Sequence, residues 1–406
     1  MLIDCGIHYE RPRREDDEVR KVRMQAVARD IAAATAHHLH VVVASHEHID
    51  HLYGFKYAGD TFETMDIDEL WLTWTEDPGD ADAQRLKATY GFQFAAMGAA
   101  VGLLEQAKSP LTGAIRSVLD FEYPGALAAT GGNAAQLQFL RDKSAKPLQT
   151  SEDYCHPGEP PLAVPGVQCV KVYVLGPPKA DKWIKMEQST SELYPELTAL
   201  DASSAFAAGA LAAAGTEALA GDERELYQSS LLFDAPFTIS TQDTQKEPYG
   251  PFFRSAYGFS GRKGHGPAWR RIDTDWLAAA EQLALALNKK TNNTSLVLAI
   301  ELPGSAPRPV LLFAADAQVG NGLSWYEHSW PGEGPQGETV TVIDLLKRTV
   351  LYKVGHHGSH KTQRSRPRAW RRWSALTGWP CCRWTRPGPT GHRGGNTRPE
   401  SSWISS

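Results

Sequence analysis

The densest group of potential metal ligands in the chain is the six-residue run His46-Glu47-His48-Ile49-Asp50-His51. This HxHxDH run directly follows residues 39–44 (LHVVVA), a continuous apolar and β-branched run that is typical of a buried strand. Imidazole nitrogens and carboxylate oxygens are the ligands that zinc, manganese and iron prefer. A solvated surface turn has no need for so many ligand-type side chains, so the run predicts a metal site at the end of a strand.

Two later strands could bring further ligands to this site. Residues 310–314 (VLLFA) are predicted to form a buried strand that leads into Asp316, and residues 350–354 (VLYKV) a second one that leads into His356 and His357. A single Asp after a strand is more often a turn or cap residue than a ligand. Asp316 nevertheless follows a strand whose end is polar, like the strands that precede the HxHxDH run and His356. This similarity makes Asp316 a candidate ligand.

Strands and helices alternate through much of the chain, and this pattern predicts an α/β (α+β) fold. A helix is predicted over about residues 16–36 because apolar residues there have helical spacing: Val19, Val22, Met24, Val27 and Ile31. His37, His38 and His40 lie near its end, where contact with the helix dipole explains them without a metal. Further strands are predicted over 69–74, 169–175 and 295–301, and further helices over 94–106, 134–142, 273–287 and 343–347.

The composition bounds the class of protein. The chain has 406 residues, of which 42% are hydrophobic and 22% charged, with a formal net charge of −5. This length suggests two or three domains at roughly 150 residues each, and five cysteines without a CxxC pair make neither a disulfide framework nor a zinc ribbon. The N-terminus has no apolar signal segment, and the most apolar long stretch, 199–220, contains Asp201 and Glu217. We therefore expect a cytoplasmic protein that does not enter a membrane.

The last 45 residues, from Thr362 onward, differ from the rest of the chain. They contain nine Arg, no Lys and one acidic residue, which gives a local charge of +8 and leaves −13 for residues 1–361. They also hold five of the 12 Trp and show neither a strand nor a helix period. One interpretation is an Arg/Trp-rich tail that binds nucleic acid. We favour the other interpretation, in which this segment does not belong to the fold.

The order of four motifs resembles that of the metallo-β-lactamase-fold hydrolases. These motifs are Asp4 in LIDCG, the HxHxDH run, Asp316 in FAADA, and KVGHHGS around His356. Within that family, NNTSLVLAIEL, LLFAADA and KVGHHGS are most similar to the metallohydrolase domain of DNA-uptake competence proteins. The resemblance covers about residues 2–75 and 290–360. It implies a four-layer αβ/βα sandwich, with the site along one edge of two facing sheets.

The resemblance also implies two divalent metal ions, with zinc favoured and manganese or iron as alternatives. It assigns His46 and His48 to the first ion, Asp50 and His51 to the second, and Asp316 to the bridge between them. One of His356 and His357 completes the second site, and we favour His356 because it directly follows Gly355. Asp4 has a structural role in which it holds the HxHxDH loop by hydrogen bonds.

The activity implied is hydrolysis by a hydroxide bound to both metals, with Asp50 orienting it and His357 contacting the substrate or protonating the leaving group. The most similar relatives suggest a phosphodiester substrate. The charge of −13 over residues 1–361 offers no broad basic surface for nucleic acid, so a small anionic ester, a lactone or a thioester fits as well. A β-lactam is not expected, because the secreted β-lactamases carry signal peptides. Two other classes stay open, namely an inactive family member and a nucleic-acid-binding module that acts through the basic tail.

The chain departs from the family pattern in three places. The family usually supplies one more histidine to the first metal, and the candidates in mid-chain are His156 and His265. Family members begin with a strand hairpin before the LIDCG strand, and they continue with a helix and strands after the segment that ends at His360. We hypothesise that the chain is truncated at its start and frame-shifted near Lys361.

With these departures, the chain is expected to divide into four regions. Residues 1–178 and 272–361 are expected to form the two parts of the fold. Residues 179–271 are expected to be an inserted lid or flexible subdomain. Residues 362–406 are expected to be a disordered or out-of-frame tail.

Overall fold

The computed structural model describes residues 1–7, 17–106, 112–113, 116, 132–184, 210, 239, 243–257, 291–353 and 355. Several sequence predictions therefore lie outside the described residues. They are His265, His356 and His357, the helix over 273–287, most of the insert and the whole Arg/Trp-rich tail.

The described residues form a mixed α/β structure, which confirms the predicted class. Its first half contains β1 (Leu2–Ile3), α1 (Asp17–Ala34), β2 (His38–Val43), α2 (Ile49–Tyr57), α3 (Gly59–Glu63), β3 (Asp66–Trp71), α4 (Ala81–Gln106) and α5 (Gly132–Lys143). Its second half contains β4 (Leu162–Ala163), β5 (Lys171–Gly176), α6 (Asp181–Ile184), α7 (Gly250–Tyr257), β6 (Val297–Glu301), β7 (Val310–Phe313), α8 (Val319–Ser324), β8 (Ser329–Trp330), β9 (Val340–Thr341), α9 (Val342–Lys347) and β10 (Thr349–Lys353).

Most strands belong to one of two sheets. The first sheet has the order β1-β2-β3 and is parallel throughout. The second has the order β10-β7-β6-β5-β4, in which only β10 and β7 run parallel. Because β1 and β2 are parallel neighbours, their carboxyl ends lie at the same edge of the first sheet. That edge receives both Asp4 and the start of the HxHxDH run.

Two hydrophobic clusters cover opposite faces of the first sheet. One cluster joins it to the second sheet, through Val41, Val43 and Trp71 on one side and Val172, Val174, Leu298 and Ile300 on the other. The second cluster joins it to helices, through Val42 and Leu70 on the strands and Met24, Leu52, Phe55, Phe62 and Leu140 on α1, α2, α3 and α5. Val41, Val42 and Val43 of β2 thus alternate between the two clusters, as the period of a strand requires. In the part of the chain that the structure describes, no helix is both long enough and apolar enough to cross a membrane.

Helix α1 was predicted correctly, but the sequence pattern indicated the wrong buried face. Val19, Val22 and Val27 are 47%, 60% and 42% exposed, whereas Met24 and Ala28 are buried together with Ala32 and Arg20. The buried residues recur at intervals of four, which places them on one stripe of the helix. Small alanine side chains allow α1 to pack closely against α2 and α3, so they occupy the inner face in place of the larger valines.

Strand β10 was also predicted correctly, but its predicted burial was wrong. Val350 and Leu351 are 57% and 46% exposed. The strand pairs only with β7 among the described strands and is therefore at the edge of the second sheet. An edge strand has a neighbour on one side, so apolar side chains alone do not imply that it is buried.

The N-terminal segment lies in very close contact with α2. The amide of Cys5 donates a 2.8 Å hydrogen bond to the carbonyl of His51, and the amide of Gly54 donates a 2.8 Å hydrogen bond to the carbonyl of Cys5. A Cβ atom at Gly54 would overlap the sulfur of Cys5 and lie 2.6 Å from its carbonyl oxygen, and one at Gly6 would overlap the carbonyl oxygen of Asp50. Glycine at these two positions allows the Asp4 segment to reach the HxHxDH loop.

We predict that Gly54→Ala destabilises the protein by about 1–3 kcal/mol, because the added methyl group must displace the Cys5 backbone. The matched control is Gly91→Ala, which is also within a helix but has no atom within 4 Å of the added Cβ. That control should be neutral or stabilising by up to about 1 kcal/mol, since alanine favours helix. Urea denaturation of both variants measures the difference, and equal stabilities would contradict the close contact.

Candidate metal centre

The HxHxDH run forms the connection from β2 to α2. His48 is the N-cap residue of α2, so the first half of the run lies on the loop and the second half in the first helical turn. The amide of Leu296 donates a 2.8 Å hydrogen bond to the carbonyl of Ser45, immediately before the run. The loop is thereby fixed to the start of β6 in the second sheet.

His46 and His48 form a buried imidazole pair. The Nε2 atom of His46 and the Nδ1 atom of His48 are 2.9 Å apart, and both residues are at most 3% exposed. The other nitrogen of His46 lies 3.0 Å from the hydroxyl of Ser45 and 3.4 Å from that of Ser295. Burial, reinforced by the neighbouring His51 and His48, lowers the pKa of His46 well below its usual value. His46 is therefore neutral at pH 7, the form in which an imidazole binds a metal.

His51 lies between two carboxylates. Its Nδ1 atom is 2.7 Å from Asp4 Oδ2, and its Nε2 atom is 3.0 Å from Asp316 Oδ2. Burial by itself lowers the pKa of His51, but the negative charges and hydrogen bonds of Asp4 and Asp316 outweigh it and raise the pKa to about 10. Asp4 is held in turn by the amide and the hydroxyl of Ser45, each of which donates a 2.8 Å hydrogen bond to it. A carboxylate that fixes one nitrogen of a histidine and leaves the other facing a site is a common arrangement behind metal ligands.

Asp316 is directed to the site by an unusual backbone turn after β7. Ala315 has φ of 45°, in the left-handed region that residues other than glycine seldom adopt. Asp4, the first residue after β1, also has a positive φ, of 57°. Gly355, two residues beyond β10, lies against this turn, since a Cβ there would be 2.6 Å from the carbonyl oxygen of Ala315 and 2.8 Å from Asp316 Oδ1.

The structure brings together five of the ligands that the sequence suggested. One donor atom each from His46, His51 and Asp316 lies within 4.8 Å of the other two, and all three residues are buried. His48 adjoins His46 at 2.9 Å. Asp50 adjoins the group as well, with Oδ1 3.9 Å from His51 Nε2. These side chains form a candidate metal site, and they come from the ends of strands in both sheets.

Of the remaining candidate ligands, only His156 lies within the described residues, and it is not part of this group. His356 and His357 lie outside the described residues, as does His265. His156 is described, and its Nε2 atom lies 3.0 Å from the carbonyl oxygen of Ser151, with which it hydrogen-bonds. The assignment of a third histidine to the first metal stays a prediction.

An asparagine pair that positions the Asp316 turn was missed by the sequence analysis. The amides of Gln318 and Asn321 donate hydrogen bonds of 3.2 and 3.3 Å to the side-chain oxygen of buried Asn293. Asn321 in turn donates 3.0 and 2.9 Å hydrogen bonds from its side chain to the carbonyls of Asn293 and Ser295. The pair joins the start of α8, just after Asp316, to the segment before β6. The sequence did contain a signal for Asn293, because two adjacent asparagines precede an apolar strand. An amide side chain that becomes buried there needs hydrogen-bond partners elsewhere in the chain.

Comparisons of the chain with models of protein families, with curated proteins and with solved structures found no match. The candidate site therefore rests on the arrangement of its own side chains. A buried group of two imidazoles and a carboxylate, with a further carboxylate behind one imidazole, has the composition of a transition-metal site.

We predict that Asp4→Asn weakens metal binding by about 10–100-fold, the usual effect of changing a residue behind a metal ligand. Asparagine tolerates the left-handed backbone at this position and is close to aspartate in shape, so the fold should be kept. It removes the negative charge that faces His51. Zinc titration against a competing chelator measures the affinity.

The control for this variant is Asp30→Asn, which makes the same change of charge on the exposed side of α1. It should leave the affinity unchanged. An affinity for zinc that is equal in the two variants would show that Asp4 does not support the site.

Proposed function

We propose that this protein is a metal-dependent hydrolase with the four-layer αβ/βα sandwich of the metallo-β-lactamase type. One observation supports this proposal most directly. Ligand atoms of His46, His51 and Asp316, which follow strands of two different sheets, lie within 4.8 Å of one another in a buried place. Buried ionisable groups are costly unless they are paired, bind a metal or perform chemistry.

The side chains present fit a pair of divalent ions. Two ligands on one tetrahedral zinc, with bonds of about 2.0–2.1 Å, are roughly 3.3 Å apart. The His46–His48 nitrogen pair at 2.9 Å and the His51–Asp316 pair at 3.0 Å are close to that separation. A small outward movement of each pair would admit an ion. The nitrogen and oxygen donors favour zinc, manganese or iron over calcium.

The residues divide naturally between two ions. His46 and His48 would hold the first, Asp50 and His51 the second, and Asp316 would bridge them. His356 follows Gly355 directly in the sequence, and Gly355 adjoins Asp316, so His356 is our proposed further ligand of the second ion. When bound, such ions supply Lewis acidity that generates a nucleophile from water at neutral pH and stabilises negative charge on the reacting oxygen.

The protein's own side chains would orient and insulate this chemistry. Asp4 accepts a hydrogen bond from Nδ1 of His51 and so keeps its Nε2 atom directed at the site. Asp50, whose oxygen lies 3.9 Å from that nitrogen, would orient the attacking water by a hydrogen bond. The burial of the three central residues excludes bulk solvent, which strengthens each charge interaction. We further propose that His357 contacts the substrate or the leaving group.

A phosphodiester or a related ester is the substrate class that we propose. The charge of −13 over residues 1–361 disfavours a long nucleic-acid backbone and favours a small substrate, whose charge the ions themselves could neutralise. The tail with its charge of +8 supports a second proposal, namely binding of nucleic acid. Deletion of residues 362–406 separates the two, because only the second proposal requires those residues.

The first test is metal content. We predict that the purified protein retains about two equivalents of zinc or manganese after dialysis, and that Asp316→Asn retains at least one equivalent less because the proposed bridge is weakened. His156→Ala is the matched control, since this histidine lies outside the group. Equal metal content in the wild-type protein and Asp316→Asn would contradict the proposed ligand set.

The second test is turnover of bis-p-nitrophenyl phosphate. We predict hydrolysis that a strong chelator abolishes, that added zinc or manganese restores, and that Asp50→Ala lowers by about 100-fold or more. Circular dichroism of each variant verifies that it is folded. Activity that survives chelation, or that is equal in Asp50→Ala, would refute the mechanism. Retained metal without turnover of phosphodiester, lactone or thioester would indicate an inactive member of the family.

A further inference from the structure

A second group of potential metal ligands lies at the opposite end of β2. It consists of His38 and His40 on β2 and Asp68 on the neighbouring strand β3. His38 and His40, which the sequence placed near a helix end, lie on the strand that follows this helix. Helix α1 ends at Ala34, and a turn that includes His37, with φ of 60°, separates it from the strand.

The parallel pairing of β2 with β3 brings the three side chains together. The register pairs His38 with Asp66, and it pairs Leu39 with Ile67, so His40 and Asp68 are the next residues along the two strands. Residues at positions i and i+2 of a strand point to the same side. The rings of His38 and His40 accordingly lie with their centroids 4.5 Å apart. The two paired backbones therefore bring the three side chains next to one another, which reduces the entropy lost on binding an ion.

The donor atoms are close enough to bind one ion. The Nε2 atom of His38 is 2.9 Å from Asp68 Oδ1, and one donor atom of each member lies within 4.8 Å of the others. The side chains of His38 and Asp68 are 42% and 39% exposed, so an ion can reach them from solvent. The ring of His40 packs against Gly166, where a Cβ would be 2.9 Å from its Cδ2 atom, and this contact restricts how the ring can turn.

The surroundings favour a cation with open coordination positions. An open cavity of about 420 Å³ adjoins the group and is lined by His38, Asp66, Asp68 and Lys143, among others. It gives room for water molecules to complete the coordination. Asp66 adds a second negative charge to the lining of this cavity. The ammonium group of Lys143 is the opposing charge, and it donates a 2.7 Å hydrogen bond to the carbonyl of Glu63 on α3.

We propose that His38, His40 and Asp68 form a second site for a divalent transition metal of the zinc class. Two imidazoles and one carboxylate with open positions are a ligand set that suits zinc, nickel or copper and does not suit magnesium. Strand β2 has six residues, and a rise of about 3.3 Å per residue separates this site from the HxHxDH loop by roughly 20 Å. No single ion can contact both groups, so this site is independent of the proposed hydrolase centre.

An ion at this site would tie β2 to β3. The ligands come from both strands, and the unfolded chain does not hold them together, so binding stabilises the folded protein. The site would thus make the stability of the first sheet depend on the supply of metal, whatever chemistry takes place at its other edge.

The test uses the full chain, zinc as the probe, and modification of histidines by diethyl pyrocarbonate at pH 7, with each site located by peptide fragmentation. We expect zinc to protect His38 and His40. The exposed neighbour His37, which hydrogen-bonds with Thr64, should stay reactive. Asp68→Asn, which keeps the side-chain shape, should raise the zinc concentration needed for half-protection by at least about tenfold.

Circular dichroism should be the same for Asp68→Asn and the wild-type protein, which verifies that the variant is folded. His46 and His51 are at most 3% exposed and should be unreactive with or without zinc, so they do not interfere with the measurement. Magnesium at the same concentration should protect neither His38 nor His40. The proposal is overturned if millimolar zinc leaves His38 and His40 reactive, if His37 is protected equally, or if Asp68→Asn leaves their midpoint unchanged.

Discussion

The candidate centre depends on one buried histidine held between two carboxylates. His51 contacts Asp4 through one nitrogen and Asp316 through the other, at 2.7 and 3.0 Å. Two carboxylates in this place would repel each other and would each lose hydration. A positive charge between them offsets both costs, carried either by protonated His51 or by a metal ion that replaces the proton on its Nε2 atom. Asp4 follows a strand of the first sheet and Asp316 a strand of the second. The contact therefore exists only if the two sheets are packed together, and it links the site to the fold.

This geometry requires backbone conformations that are unfavourable by themselves. Asp4 and Ala315 both have positive φ, which costs of the order of 1–3 kcal/mol at each residue. The cost is offset by contacts that form only in these conformations, such as the two hydrogen bonds from Ser45 to Asp4. Gly54 and Gly355 contribute by leaving room where a Cβ would meet backbone atoms. Strain concentrated beside a set of buried ligand-type side chains is typical of functional sites.

The sequence predicted well those features that depend on neighbouring residues. Strands at 39–44, 295–301 and 310–314 correspond to β2, β6 and β7 because continuous apolar runs are a local signal. Features set by distant partners were predicted poorly. The buried face of α1 follows Met24 and Ala28 because the packing of α2 and α3 selects small side chains. The exposure of β10 depends on its place at a sheet edge. Asn293 and Asn321 act together across 28 residues of chain, so the adjacent asparagines before β6 could indicate a buried amide but not its partner.

The two ends of β2 carry similar metal-ligating side chains but differ in how strongly they would bind an ion. The HxHxDH end is buried, and Asp4 fixes the orientation of His51 from behind. At the other end His38 and Asp68 are partly exposed, so water competes for each donor and weakens every charge interaction. In a buried site, each polar side chain without a partner carries a desolvation cost, so protein side chains must supply the partners. In an exposed site, water molecules can occupy the coordination positions that no side chain fills. An ion bound at the buried end would therefore be suited to holding and activating a substrate, whereas an ion bound at the exposed end would be suited to joining two strands.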